Sequence, residues 1–318
     1  MRNPLLIWSS LISLVAGSAF ITAWADGVVR DYPAAQISPH VWVIEGPLGF
    51  PSIENQGFMN NPAFVITGSG VVVIDPGSSV QAGRMVLKQI RQVTDLPVTH
   101  VLDSHVHGDH WLGNQAILEA FPDAVFMAHP EMIARAKGFA GDEWLRIMEE
   151  STAGFTAGTR AVIPEHPVAD ADAFSVAGMR FRILAPGAAH SGTDIMIEVV
   201  DDGVLFLGDN VTYQRIARLD DATFKGSIEA CRIALQGNSS KFVPGHGPVG
   251  GREVVESYLR YLSTLYTQVT HWYEEGLEDF EMKPRIVAAL AEYADWVNFD
   301  DQVGKHISLA ILEYENAL

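Results

Sequence analysis

Five of the eleven histidines, together with Asp109 and Asp209, fall in four short stretches of this 318-residue chain. The stretches are His105-Val106-His107-Gly108-Asp109-His110, His190-Ser191-Gly192-Thr193-Asp194, Gly208-Asp209-Asn210 and Gly245-His246-Gly247. Each is expected where a strand gives way to Gly or Pro turns, so side chains leave a rigid base at one edge of the fold. Residues i and i+2 leaving a strand point the same way, which lets His105 and His107 hold one ion. Gly108 permits a sharp turn that sends Asp109 and His110 toward a neighbouring position. Imidazole and carboxylate ligands at ~2.0–2.2 Å suit zinc, and these groups exceed what one tetrahedral ion takes, so two metals are the expected count. A lone His-x-His would read more simply as loop histidines on a solvated edge. H-x-H-x-D-H followed by three further His/Asp turns does not fit that reading.

The elements that must position these groups can be read from hydrophobic spacing. Residues 40–45 alternate like a strand, and 63–67 and 71–75 read as a hairpin around Gly68-Ser69-Gly70. Residues 79–93 have helical spacing, with Val80, Met85, Val86, Ile90 and Val93 on one face. A short strand at 100–103 runs into the first His motif, followed by a helix at 111–121, a strand at 124–128 and a helix starting at 130–137. Residues 138–170 read as polar and irregular. In the second half, strands are expected at 181–184, 195–200, 204–207 and 241–243, with a helix at 227–235. Beyond Gly251 the chain reads as helical nearly to its end, with breaks near Gly276, Pro284 and Asn298. Two successive β-rich blocks closed by helices suggest two sheets packed face to face.

Composition removes several function classes. The chain is 48% hydrophobic and 19% charged, too apolar for a disordered protein. Lys+Arg number 21 against 39 Asp+Glu, a net charge of −18 that offers no global attraction to nucleic acid. A single cysteine, Cys231, rules out intrachain disulfides and Cys-cluster metal sites, leaving any metal to His and carboxylates. Cys231 lies in an expected helix away from the ligand turns and reads as packing. Residues 1–25 combine Arg2, an apolar stretch over 5–22 and Ala23-Trp24-Ala25, the pattern of a secretory signal peptide cleaved after Ala25. The competing reading of that stretch is an uncleaved anchor. Periplasmic or secreted localisation is expected, without stable membrane association after signal removal.

These motifs resemble the metallo-β-lactamase superfamily over roughly residues 41–248. The resemblance implies an α/β fold, an αββα sandwich of two mixed β-sheets with outer helices, and a dinuclear site at one edge. It implies His105, His107 and His190 as ligands of a first metal, Asp109, His110 and His246 as ligands of a second, and Asp209 as the carboxylate bridging them. Asp75, ending the apolar strand 71–74, matches the family's supporting aspartate, and Asp109 is expected to orient the attacking water. The implied cofactors are two Zn2+, with Fe or Mn as alternatives. Two such ions lower the pKa of a shared water, so a metal-bound hydroxide can attack a polarised carbonyl without a Ser or Cys nucleophile. The organisation expected is a signal peptide at 1–25, a catalytic domain at 26–250 and a helical extension at 251–318 packed on it.

The substrate is narrowed only in part. An Asp at 209 resembles the thioesterases, lactonases and general hydrolases of the superfamily more than its zinc β-lactamases. The acidic run Glu274-Glu275, Glu278-Asp279 and Glu281 argues against a glutathione thioesterase, and the charge balance disfavours the nuclease branches. Flavin-linked di-iron members usually carry Glu where His107 stands, and an attached flavodoxin domain. The expected function is a periplasmic hydrolase of an ester, thioester, lactone or β-lactam bond in a small molecule. The rivals are a mononuclear iron sulfur dioxygenase and a non-catalytic accessory protein of a periplasmic oxidation pathway. Residues 46–62 form a long connection whose apolar side chains, Phe50 and Phe58 among them, are expected either to cover substrate or to pack on the sandwich. Tyr213 is a further candidate substrate contact. His271-Trp272-Tyr273 reads as helix packing, or at most a pocket wall. His40, His100, His129, His166 and His306 have no ligand-like context.

Overall fold

The computed structural model describes residues 27–317. Its first sheet is built from Ala34–Gln36 (β1), Val41–Ile44 (β2), Ala63–Ile66 (β3), Val71–Ile74 (β4), Val98–Asp103 (β5), Val125–Ala128 (β6) and His166–Pro167 (β7). They lie side by side in chain order, antiparallel from β1 to β4 and parallel from β4 to β7. Parallel neighbours need a crossover. Val80–Val93 (α1) supplies it between β4 and β5. Gly108–Trp111 (α2) and Asn114–Ala120 (α3) supply it between β5 and β6. Pro130–Arg135 (α4) and Gly141–Ser151 (α5) follow β6, joined by a π-helical turn at Ala136–Ala140.

The second sheet holds Ala173–Val176 (β8), Met179–Leu184 (β9), Met196–Val199 (β10), Val204–Thr212 (β11) and Lys241–His246 (β12), in the order β12-β11-β10-β9-β8. Only the β11–β12 pair is parallel, and its crossover is Phe224–Gln236 (α6). Arg252–Glu274 (α7), Asp279–Ala289 (α8) and Phe299–Glu315 (α9) complete the chain.

Three apolar layers fix this arrangement. Between the sheets, Val41, Val43, Val65, Val72, Ile74 and Leu102 meet Phe181, Ile183, Ile197, Val199, Phe206 and Val243. The other face of the first sheet packs Phe64, Val71, Val73 and Val101 against Met85, Val86 and Ile90 of α1 and Ile117 of α3. On the far side, Leu205, Leu207 and Phe242 share one core with residues of α6, α7, α8 and α9. The result is a sandwich of two mixed sheets with helices outside both.

Several elements differ from the sequence reading. The helix expected at 111–121 is two helices, and between them the Gly113 amide donates to the Gly77 carbonyl at 2.7 Å instead of within a helix. Residues 138–170 are not irregular throughout. They contain α5, whose apolar positions Trp144, Leu145 and Met148 are spaced for a helix but diluted by five charged residues. Pro284 does not break a helix: α8 runs through it. Asp209 does not follow its strand but lies inside β11, and His246 is the last residue of β12. The expected signal segment, residues 1–25, lies outside the described residues. Among the described residues no helix is long and apolar enough to cross a membrane.

Candidate metal centre

The seven singled-out side chains converge at one edge of the sandwich. Beyond β5 the chain enters the loop carrying His105 and His107, and α2 then carries Asp109 and His110. The β9–β10 connection brings His190, β11 brings Asp209 and β12 brings His246. Ligand atoms of His105, His107, His190 and Asp209 lie within 4.8 Å of one another, and those of Asp109, His110 and His246 form a second such group. Within the first, His190 Nε2 is 3.0 Å from His107 Nδ1 and 3.6 Å from Asp209 Oδ2. Within the second, His246 Nε2 is 3.2 Å from Asp109 Oδ2, and His110 Nε2 is 3.5 Å from the same oxygen. Asp209 reaches across: its Oδ1 is 3.2 Å from His110 Nε2 and its Oδ2 3.3 Å from His246 Nε2.

These spacings fit cations. Two ligands at ~2.0–2.2 Å from a tetrahedral ion stand roughly 3.3–3.6 Å apart. His105 Nε2, His110 Nε2, His246 Nε2 and Asp209 Oδ1 are buried without a hydrogen-bond partner, so the same atoms that face one another lack acceptors or donors of their own. Buried polar atoms are ordinarily satisfied, and a shared orphaning of this kind marks a ligand site.

The far nitrogen of four of these imidazoles is anchored. His110 Nδ1 donates to Asp75 Oδ2 at 2.8 Å, and His246 Nδ1 donates to the Met59 carbonyl at 2.8 Å. Ser104 Oγ accepts from His105 Nδ1 at 2.9 Å and donates to Asp75 Oδ2 at 2.7 Å. His107 Nε2 bonds Asp221 Oδ2 at 3.2 Å. Such partners fix the tautomer and ring orientation of a ligating histidine. Asp75 thereby steadies a histidine of each group. It does so from a left-handed backbone (φ +50°), a conformation that costs a non-glycine residue energy and persists when its surroundings hold it. Asn60 Nδ2, on the Asp75 carbonyl at 2.9 Å, and the Ser104 amide, on Asp75 Oδ1 at 2.7 Å, do the holding.

Backbone shape matters at two glycines. A Cβ on Gly245 would fall inside the van der Waals envelope of the Asp209 carboxylate, and one on Gly247 (φ +102°) would strike the Tyr213 carbonyl. Asn61 ties the same turn down, its Nδ2 donating to the Pro244 and Gly247 carbonyls at 2.9 and 2.7 Å.

The electrostatics suit ligation. Burial, reinforced by the neighbouring imidazoles of His110 and His107, holds His105 well below the usual histidine range. Burial likewise lowers His190, to about 4. Burial would depress His110 too, but Asp109, Asp209 and Asp75 around it more than offset that and lift it well above its ordinary value. Burial works against ionised Asp209, yet His246 and His110 outweigh it and keep its carboxyl well below the usual range.

The remaining sequence candidates divide. Phe50, from the β2–β3 loop, lies with its ring centroid 5.1 Å from the Arg215 guanidinium carbon. Phe58 is fully buried beneath the first sheet, against Tyr32 at 4.7 Å, so it packs the core and is no substrate contact. Tyr213 donates its amide to the His246 carbonyl at 3.0 Å, while its ring packs edge-on against Trp296 at 5.5 Å. Trp272 packs into the helical core under Arg285. Cys231 is buried in α6, its thiol pushed up to about 12 by burial, so it supplies no thiolate near neutral pH.

Sequence reasoning missed Asp221, Asn60, Asn61, Arg215 and Trp144, whose ring lies 5.0 Å from that of His107. Asn60 and Asn61 had one sequence signal, the density of Asn in the 46–62 connection; the other three had none. Asp194, inside a quoted motif, accepts from the Ser191 amide and hydroxyl at 2.7 and 2.8 Å and so shapes the turn that presents His190.

Residues 56–246 match the family model of the metallo-beta-lactamase superfamily, and the chain belongs to that superfamily. A linear primary-alkylsulfatase of Pseudomonas sp. is 25% identical over 273 residues, covering 72% of this chain and 50% of the relative. An atrochrysone carboxyl ACP thioesterase of Emericella nidulans is 24% identical, covering 75% of this chain and 65% of the relative. The chain thus spans half to two thirds of the length of these curated relatives. Among solved structures, a metallo-beta-lactamase from Pontibacter korlensis superposes with a TM-score of 0.60 at 19% identity, over 73% of this chain and 99% of that one. That likeness is one of fold.

Proposed function

We propose that this protein is a periplasmic or secreted hydrolase with two zinc ions, cleaving an ester-type bond (ester, thioester, lactone or β-lactam) in a small molecule. The observation that carries the reading is the pair of buried, orphaned His/Asp groups joined through Asp209. His105, His107 and His190 would hold one ion and Asp109, His110 and His246 the other, with Asp209 between them. All-His and carboxylate donors without sulfur suit zinc, and iron or manganese are the alternatives. When bound, such ions supply Lewis acidity that acidifies water and polarises the bond to be cut.

The chain's own residues do the rest. Asp109, beside His246 and Asp209, is placed to accept a hydrogen bond from the attacking water and set its direction. Asp75, Ser104, Met59 and Asp221 keep the imidazoles from turning, so the geometry is ready before substrate arrives. Phe50 and Tyr213 would be the substrate contacts. Relatives named for an alkyl sulfate and for an acyl-carrier thioester support the ester and thioester end of the range. A complete second group, with His110 and His246, weighs against a mononuclear iron oxygenase.

The test is a panel of aryl esters, thioesters, lactones, aryl sulfates and a chromogenic cephalosporin. Hydrolysis of at least one is expected to vanish on chelation, return with zinc, and be absent in His107→Ala and Asp109→Ala. Activity that survives either substitution would contradict the site. A mature amino terminus at Asp26 in exported protein would support the localisation.

A further inference from the structure

Arg215 is the anomaly of this edge. It lies three residues beyond β11, is only 4% exposed, and its Nε and Nη1 meet no acceptor among the described residues. A guanidinium does not give up its charge to escape burial, so a buried one is normally paired. Here no carboxylate closes on it. Asp209 and Asp109 are near enough to favour its charge against the opposing effect of burial, but neither forms an ion pair with it. What covers it is Phe50, stacked on the guanidinium at 5.1 Å. Phe50 belongs to the 46–62 connection, where Asn55 Nδ2 holds its carbonyl at 2.8 Å, and Ile53 stands 61% exposed on the same loop.

We propose that Arg215 is the oxyanion-recognition residue of the substrate pocket: it receives a carboxylate or sulfate group of the substrate, and Phe50 moves off the guanidinium to admit it. The inference rests on the hydrolase reading for its location and adds the substrate's charge. A ring face satisfies a guanidinium weakly, whereas charge-assisted N–H···O bonds to an oxyanion are among the strong ones, so the exchange runs toward the bound anion. The demand is sharpened by the net charge of −18, which repels anions everywhere except where a cation is held locally. Ile53 and Phe50 then lie beside whatever apolar portion adjoins the anionic group.

The test uses the full, zinc-loaded chain and its Arg215→Met and Arg215→Lys variants at matched metal content. Succinate and inorganic sulfate are titrated by calorimetry. Loss of the charge-assisted bonds is expected to weaken at least one probe by about 10- to 100-fold in Arg215→Met, with part of the loss restored in Arg215→Lys. Which probe suffers more tells carboxylate from sulfate. Phe50→Ala, which removes the competing cover and keeps Arg215, is expected to tighten the same probe, and this arm stands even if Arg215→Met folds poorly. Equal probe affinities in wild type and Arg215→Met, or unchanged binding in Phe50→Ala, would overturn the proposal. Where turnover is found, the ratio of kcat/KM for a carboxylate-bearing ester to that for its neutral analogue is expected to fall by the same factor in Arg215→Met. If no substrate is cleaved, the hydrolase reading fails while the titrations still decide Arg215.

Discussion

Asp75 carries more of this site than its distance from substrate suggests. Its two oxygens serve the Ser104 amide, the Ser104 hydroxyl and His110, and through Ser104 it also governs His105. Asp75→Ala is expected to lower zinc affinity about 10- to 100-fold, measured by competition with a chromophoric chelator. Gly245→Ala should do comparable damage without removing any ligand, because the new methyl displaces the Asp209 carboxylate. Metal binding also carries a pH sign. Asp109, Asp209 and Asp75 push His110 well above its ordinary value in the metal-free chain, and ligation requires the neutral imidazole, so affinity should rise with pH and binding should be accompanied by proton release. Calorimetry in buffers of different ionisation enthalpy reads that release. At this scale the candidate ligands were legible because each sits in a short stretch of diagnostic residue types. Asp221 was not: it meets His107 across 114 positions of sequence, and an isolated exposed aspartate has no local pattern.

The elements show where periodicity suffices and where it fails. α1 and most strands follow from apolar spacing, since each has one face or both faces buried. α5 was hidden because charged residues outnumber its apolar ones, although Trp144 on it reaches the His107 ring. β11 was cut short at Leu207 because Gly208, Asp209 and Asn210 look like a turn; pairing with β12, at Gly208 with Pro244 and Thr212 with His246, carries the strand past them. The C-terminal helices contribute a titratable core. His306 of α9 bonds the Tyr261 hydroxyl at 2.8 Å and the Ala217 carbonyl at 3.1 Å, and burial lowers it to about 4. Between about 6.5 and about 4 the unfolded chain therefore binds the proton that the folded chain refuses, and stability falls as pH drops through that window. The loss on full titration is on the order of 3 kcal/mol. Denaturant titrations at pH 7 and pH 4.5 should show a smaller difference for His306→Gln than for wild type. Deleting residues 49–57 tests the β2–β3 loop: KM is expected to rise while zinc content holds, and an unchanged KM would return the loop to a packing role.

For the whole molecule, the centre exists only because two sheets are clamped face to face. The first sheet and its helices deliver His105, His107, Asp109 and His110, while the second delivers His190, Asp209 and His246. Neither half brings together a complete set, so the apolar layer between Val72, Ile74 and Leu102 on one side and Ile197, Phe206 and Val243 on the other is what assembles the chemistry. The sandwich was foreseeable from two β-rich blocks and the His motifs. That 251–318 packs on the rest of the chain was expected; that α7 to α9 share one core with β11 and β12 was not, because long amphipathic helices do not reveal which surface they cover. The most direct test is native mass spectrometry of the full chain titrated with zinc. Two zinc ions per chain are expected, at most one in His246→Ala, and neither tightly held in Asp209→Ala. A wild-type chain that takes up no zinc, or an Asp209→Ala chain that still holds two, would contradict the claim that these seven side chains bind a pair of cations.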